Sequence, residues 1–289
     1  MGWGCVCIAA LTLMLGLGPS SVLSQGTTSR VFSFEDLQLA VGDDNVREVI
    51  LAQDITVTTS NLARGIELRS TKTIRGDKAA CGNAPCELNL DLGEDAGPWR
   101  LLHVHEGGDL TMRDLVVKGG VLNDMDDLSA SGPDERQEGA IFLLGNAKGH
   151  FEDVIFENNR VLGSAWGGAI AINTNVETTM TFIRCAFRSN LAGAKGGAVS
   201  IRSEGGEAVK ALFSHCTFTG NTVTGGEGGA VNVGYKGRAM FEHCLFSGNS
   251  ARNGAAVYVD VAQSKFWNCT WSNNVASAVG GVDVMLVNQ

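Results

Sequence analysis

The chain has 289 residues, a formal net charge of −9, 38 glycines and only 4 prolines. The acidic balance leaves no basic footprint for DNA or RNA, so nucleic acid is excluded as a partner. Abundant glycine without matching proline excludes a collagen-like chain and points to many tight turns, and 44% apolar residues suffice for a sizeable core.

The N-terminus, "MGWGCVCIAALTLMLGLGPSSVLSQ", has an uncharged apolar run from about Cys5 to Gly18 and a Pro19-Ser20-Ser21 break. Small residues stand three before and one before a cut after Ser24, which predicts a secretory signal peptide over residues 1–24, although no Lys or Arg precedes the run. The run is short of the ~20 apolar residues of a membrane-spanning helix, and no later segment is long and apolar enough to be one. The predicted exported chain, 25–289, keeps Cys81, Cys86, Cys185, Cys216, Cys244 and Cys269, in a compartment where disulfides form.

Ser33 is placed to cap an amphipathic helix over "FEDLQLAV", with Asp36 completing the capping pattern. "REVILAQDITVTT", "GIELRSTKTIRGD" and "LLHVHEGGDLTMRDLVVKGG" then read as successive strand pairs. Arg75-Gly76-Asp77 spells a cell-attachment tripeptide, but Gly76 also suits a chain corner. Cys81-Gly-Asn-Ala-Pro-Cys86 closes a four-residue loop whose Gly82 and Pro85 fit a tight turn, which predicts a Cys81–Cys86 disulfide. No second Cys-x-x-Cys or histidine pair stands at zinc-ligand spacing, so the expectation is no metal. His103 and His105 fall on one side of a strand with no partner ligand in view. Asn123 to Gly139, "NDMDDLSASGPDERQEG", is an acidic insertion without the ligand spacing of a calcium loop; it reads as a solvated excursion.

From Phe151 the chain repeats itself. Five segments begin at Phe151, Phe182, Phe213, Phe241 and Phe266, and each contains an aromatic-x-x-Asn ending at Asn159, Asn190, Asn221, Asn249 or Asn274. The asparagines are spaced by 31, 31, 28 and 25 residues, and a degenerate sixth unit precedes them in "MRDLVVKGG" and "EGAIFLL". Each unit ends in a variable loop, a pair of small residues and a short β-branched alternation. That alternation puts Ile170 and Ile172, Val199 and Ile201, Val231 and Val233, and Val257 and Val259 on one face. Short strands, polar corners and a period in the high twenties predict an all-β, right-handed parallel β-helix with the N-terminal helix over the open end of its first coil.

The motif residues then have backbone work to do. The asparagines tolerate left-handed backbone and can bond the next coil's main chain, while Gly168, Gly197 and Gly229 let the chain turn back into the sheet without a Cβ clash. "GAKGG", Gly193 to Gly197, looks at first like a phosphate loop, but Lys195 occupies a slot filled by Trp166, Glu227 and Asn253 in sister units. No Gly-Lys-Ser/Thr follows a strand there, so the slot is structural. Cys185, Cys216, Cys244 and Cys269 form a ladder ~4.8 Å apart per coil, either as buried thiols or as two bridges. His215 and His243 share a corner position and predict a stack.

Gly167-Gly168-Ala169-Ile170, Gly196-Gly197-Ala198-Val199 and Gly228-Gly229-Ala230-Val231, together with the aromatic-x-x-Asn set, resemble the polymorphic outer-membrane protein repeat of chlamydial surface proteins over about residues 139–284. The last two units depart from it, as Gly254-Ala255-Ala256-Val257 and Gly280-Gly281-Val282. The preceding region looks like the start of a pectin-lyase-like β-helix. These resemblances imply a secreted or surface-exposed, often adhesive fold, and the leading expectation is a non-enzymatic surface or matrix protein; the chlamydial relatives carry a C-terminal membrane barrel that this chain lacks.

Folds of this type often bind polysaccharide on an outer sheet face, where Asn173, Ser200, Arg202, Asn232, Tyr258, Asp260 and Asp283 are the outward positions. An extracellular polysaccharide or a surface receptor is thus the expected partner. The competing function is a lyase or hydrolase of uronic-acid polymers. A lyase needs carboxylates to hold calcium and a basic group to abstract a proton, and Arg202, Asp260 and Asp283 are single charges spread over several coils; no catalytic residue and no cofactor other than calcium is indicated. Asn268-Cys269-Thr270 is the single glycosylation sequon, on an outward corner. After "GGVDVMLV" no polar cap is visible, so further coils or a partner are expected at that edge.

Overall fold

The computed structural model describes residues 23–25, 27–58, 65–91, 100–122, 139–174, 176–203, 209–278 and 282–287. The signal peptide but for its last two residues, the acidic insertion up to residue 138 and Gly280-Gly281 lie outside them. The described chain is an all-β, right-handed parallel β-helix with one short helix. Strand pairing is parallel throughout, save for the first pair, Leu23–Gln25 with Thr28–Val31. No helix among the described residues is long and apolar enough to cross a membrane.

One coil shows how the repeat becomes a turn of the helix. Val199–Ser203 lies in an eight-stranded sheet and Val209–Ser214 in a sixteen-stranded one. His215 then takes a left-handed backbone, φ 55°, and Thr217–Thr219 leaves the corner along a second row of that same sheet. Gly220, φ 65°, makes the next corner, and Thr222–Val223 enters a six-stranded sheet. The chain then returns through Gly228-Gly229 to Val231–Val233 in the eight-stranded sheet, beside its starting strand. In the earlier coils the first corner interrupts nothing: Asp109–Lys118 and Lys148–Glu157 run through it as ten-residue strands, bent at Asp114 and Asp153 with φ 55° and 54°.

The core is a set of ladders. Phe151, Phe182, Phe213, Phe241 and Phe266 stack in register, and so do Phe156, Phe187, Phe218, Phe246 and Trp271, with centroids 4.4–5.0 Å apart. The two files meet edge to face, as at Phe213–Phe218, 5.5 Å and 67°, the relation that offsets the ring quadrupoles. The inward Ile and Val residues of the eight-stranded sheet are buried as the alternation predicts. Cys185, Cys216, Cys244 and Cys269 are free thiols, each Sγ–H donating to the carbonyl of a phenylalanine one coil back, Phe151, Phe182, Phe213 and Phe241, at 3.3–3.4 Å. Burial pushes the Cys216 thiol well above its ordinary pKa.

The asparagines do something other than the expected left-handed turn. The positive φ falls one residue earlier, at Asn158, Ser189, Gly220, Gly248 and Asn273, and the next side chain points inward. Asn159, Asn190, Asn221 and Asn249 are fully buried. Each Nδ2 donates to a main-chain carbonyl of the coil before, as Asn221 does to Phe187 O at 3.0 Å, and also to the Oδ1 of the next asparagine. That Oδ1 further accepts the main-chain N–H of the asparagine before it, as in Asn190 N to Asn221 Oδ1 at 3.1 Å. The result is an amide ladder from Asn159 to Asn274. The glycine pair divides its labour: Gly167, Gly196 and Gly228 have φ between 61° and 72°, whereas a Cβ on Gly168, Gly197 or Gly229 would lie 2.0–2.3 Å from a carbonyl oxygen of the next coil.

At the N-terminal end, helix α1 spans Phe34–Gly42. Ser33 Oγ accepts the Asp36 N–H at 3.1 Å, and Asp36 reaches back to the Phe32 N–H at 3.1 Å, one residue before the cap itself. The helix packs Phe34, Leu37 and Val41 onto the first strands. Cys81 and Cys86 form the expected disulfide, and Cys86–Asp91 is a strand that the alternation did not single out. Arg75 and Asp77 are held in ion pairs with Glu48 and Arg30, both at 2.7 Å, which ties the tripeptide into the sheet.

Candidate functional site

The outer face of the eight-stranded sheet carries one continuous file of side chains. Its register runs Glu67, His103, Phe142, Ala171, Ser200, Asn232, Tyr258 and Met285. Asn173 and Arg202 form a second file beside it. The expected positions Ser200, Arg202, Asn232 and Tyr258 therefore come together, but not as an open, solvated plane. Ser200, Asn232 and Asn173 are only 2%, 1% and 3% exposed.

The side chains above these positions come from the structural slot. Trp166, Lys195, Glu227 and Asn253 form successive parallel bridges, one per coil, along the margin of this face. Arg202 lays its guanidinium over the Trp166 indole at 4.5 Å. The Lys195 ammonium sits 5.4 Å from the Trp166 ring and 5.9 Å from the Tyr258 ring, and 3.8 Å from Glu227 Oε2. Burial, with the Asp260 and Glu227 carboxylates nearby, pushes the Tyr258 hydroxyl above its ordinary pKa. Asp260 thus belongs to the patch, at the end of Val257–Asp260. Asp283 does not: its carbonyl bonds Ala256, in a line with Ala169, Ala198 and Ala230, which are wholly buried. Sequence reasoning missed Trp166, Lys195 and Glu227 because it read their interchange as proof of filler. The signal was the slot itself, a fixed position one short step before each outward-facing strand.

The arrangement is two aromatic faces with two cations between and upon them, flanked by carboxylates and underlain by a serine and an asparagine. It is a cation–π cluster whose positive charges lie beside aromatic rings at the outer face.

A second group lies at the other end of the same file. Glu67, His103 and His105 each offer a ligand atom, all within 4.8 Å of one another. His105 Nε2 hydrogen-bonds Glu67, so the histidines do have a partner; it stands on the preceding coil, opposite His103. Asp54, Cys81 and Cys86 also lie close together, but the disulfide occupies both sulfurs. His215 and His243 stack at 4.8 Å on their corner, and Asn268, exposed at φ 50°, places its amide 2.9 Å from His243 Nδ1.

A comparison with curated protein sequences found no match. A family model described as a right-handed beta helix region matches residues 137–285, just over half of the chain. With coil, register and core in agreement, the chain belongs to the right-handed β-helix family.

Proposed function

We propose that the protein is a non-enzymatic, secreted or cell-surface β-helix protein of the adhesin or matrix type, and that its outer sheet face binds an anionic polysaccharide. The observation that carries this reading is the Lys195 ammonium between Trp166 and Tyr258, with Arg202 stacked on the same indole. Aromatic faces receive the C–H side of a pyranose, and the two cations match the carboxylate of a uronic acid. A linear polymer lying along the stack meets a new strand every ~4.8 Å. Both cations are stacked, and Lys195 also faces Glu227, which suits holding charge rather than passing protons. The export-type N-terminus, the Cys81–Cys86 disulfide, the sequon at exposed Asn268 and the resemblance to polymorphic outer-membrane protein repeats support the extracellular setting.

Affinity electrophoresis through polygalacturonate, alginate and a neutral glucan tests the proposal. Retardation by the uronate polymers is expected, weakened about tenfold in Trp166→Ala and in Lys195→Ala, with no unsaturated product when calcium is added. Lack of retardation by every polymer sinks the binding reading; unsaturated product replaces it with the lyase reading.

A further inference from the structure

We infer that Glu67, His103 and His105 form a binding site for a divalent transition-metal ion of the zinc class, held between two adjacent coils at the outer sheet face. The ligand set follows from the fold. His103 and His105 are two residues apart at the end of Leu102–Val104, so both project from the same side. Glu67, in Ile66–Leu68, is the register partner of His103, and the His105 N–H bonds Leu68 O at 2.9 Å. Three donors thus stand on backbone that sheet hydrogen bonds hold in place.

The distances suit the ion. Zinc bonds of ~2.0–2.2 Å in tetrahedral geometry put ligand atoms roughly 3.3 Å apart. Here His103 Nδ1 lies 3.8 Å from Glu67 Oε2, His105 already touches that carboxylate, and the whole set fits within 4.8 Å. Two imidazoles and one carboxylate are the donors that zinc-class ions prefer, and three protein ligands leave a position for water or substrate.

The environment supports the same reading. The His103 ring is packed between His105, at 3.9 Å, and Phe142, at 5.1 Å, which holds its Nδ1 toward Glu67. Arg69 lies 3.7 Å from Glu67, and both side chains are solvent-exposed enough for the arginine to swing aside.

Cobalt(II) titration of the untagged, metal-stripped full chain tests the inference. One equivalent of Co(II) is expected to give visible d–d absorption of low coordination number, displaced by zinc, and zinc is expected to raise the melting midpoint. His105→Ala and Glu67→Gln should each weaken binding at least about tenfold, while His215→Ala/His243→Ala leaves it unchanged. Glu67 and His105 side chains are 49% and 18% exposed, so these variants should keep the fold, and circular dichroism of the metal-free forms checks that. A featureless cobalt spectrum in the unmodified chain overturns the inference. So does binding that survives both substitutions, or that disappears with the His215–His243 pair.

Discussion

The coils from Phe151 onward and those before Lys118 follow the same backbone path but fix it by different means. The later coils repeat identical side chains at identical positions, so each phenylalanine and asparagine meets its own kind one coil away, and each thiol meets the same phenylalanine carbonyl. The earlier coils use an aliphatic core and single contacts that occur once. Examples are the capped helix, the disulfide, and Lys72, which is wholly buried and donates to Asp43 O and Val46 O. Burial holds the pKa of Lys72 below that of an ordinary lysine. The lesson is that repetition distributes stability over a stack, while unrepeated residues concentrate it and leave room for local chemistry. Both candidate sites arise where the repetition is broken, one in the early coils and one where sister positions carry Trp166, Lys195 and Glu227.

Four variants bear on this contrast. Gly197→Ala strikes the repeat hardest, because the new Cβ would lie 2.1 Å from Gly229 O and only backbone movement can relieve it. A loss of about 3–5 kcal/mol is expected from the denaturation midpoint. Gly220→Ala, with φ 65° and nothing nearer than 3.6 Å, should cost only about 1–2 kcal/mol of left-handed strain. Equal losses would show that the close approach between coils does not matter.

Asn221→Ala removes an amide that serves Phe187, Asn190 and Asn249 together. Leaving the buried Phe187 carbonyl and Asn190 N–H unpaired should cost about 3 kcal/mol. Hydrogen exchange should speed up in the adjoining tandem coils while Thr71–Gly76 keeps its protection. Uniform loss along the chain would mean that the two regions unfold as one.

Cys81→Ser/Cys86→Ser should cost about 2 kcal/mol for so short a loop. Its effect should stay in the early coils, seen as proteolytic nicking near residues 78–85 with the thiols of the tandem coils still protected from alkylation. Exposure of Cys216 in this variant would break the contrast.

How far the sequence foretold this molecule follows the same line. The stack, its inward files, the corner residues and the Cys81–Cys86 bridge could be read from period and spacing, because a side chain that recurs at each turn declares its own surroundings. What could not be read was relative placement across coils. Glu67 lies 36 residues before His103 in the chain yet beside it in the sheet, and nothing in either local pattern announces that register. The asparagines misled for a related reason: their preference for left-handed backbone was satisfied by the residue before, while their own amides answered a demand for hydrogen bonds that exists only when coils are stacked.

The unbroken file from Glu67 to Met285 makes the molecule a ruler. Coils are interchangeable in register, so inserting or deleting a whole turn between His103 and Tyr258 would shift one end of the file against the other by a step of ~4.8 Å without altering either end's chemistry. The separation between the histidine pair and the aromatic patch is therefore a quantity counted in coils, adjustable by unequal exchange of repeats.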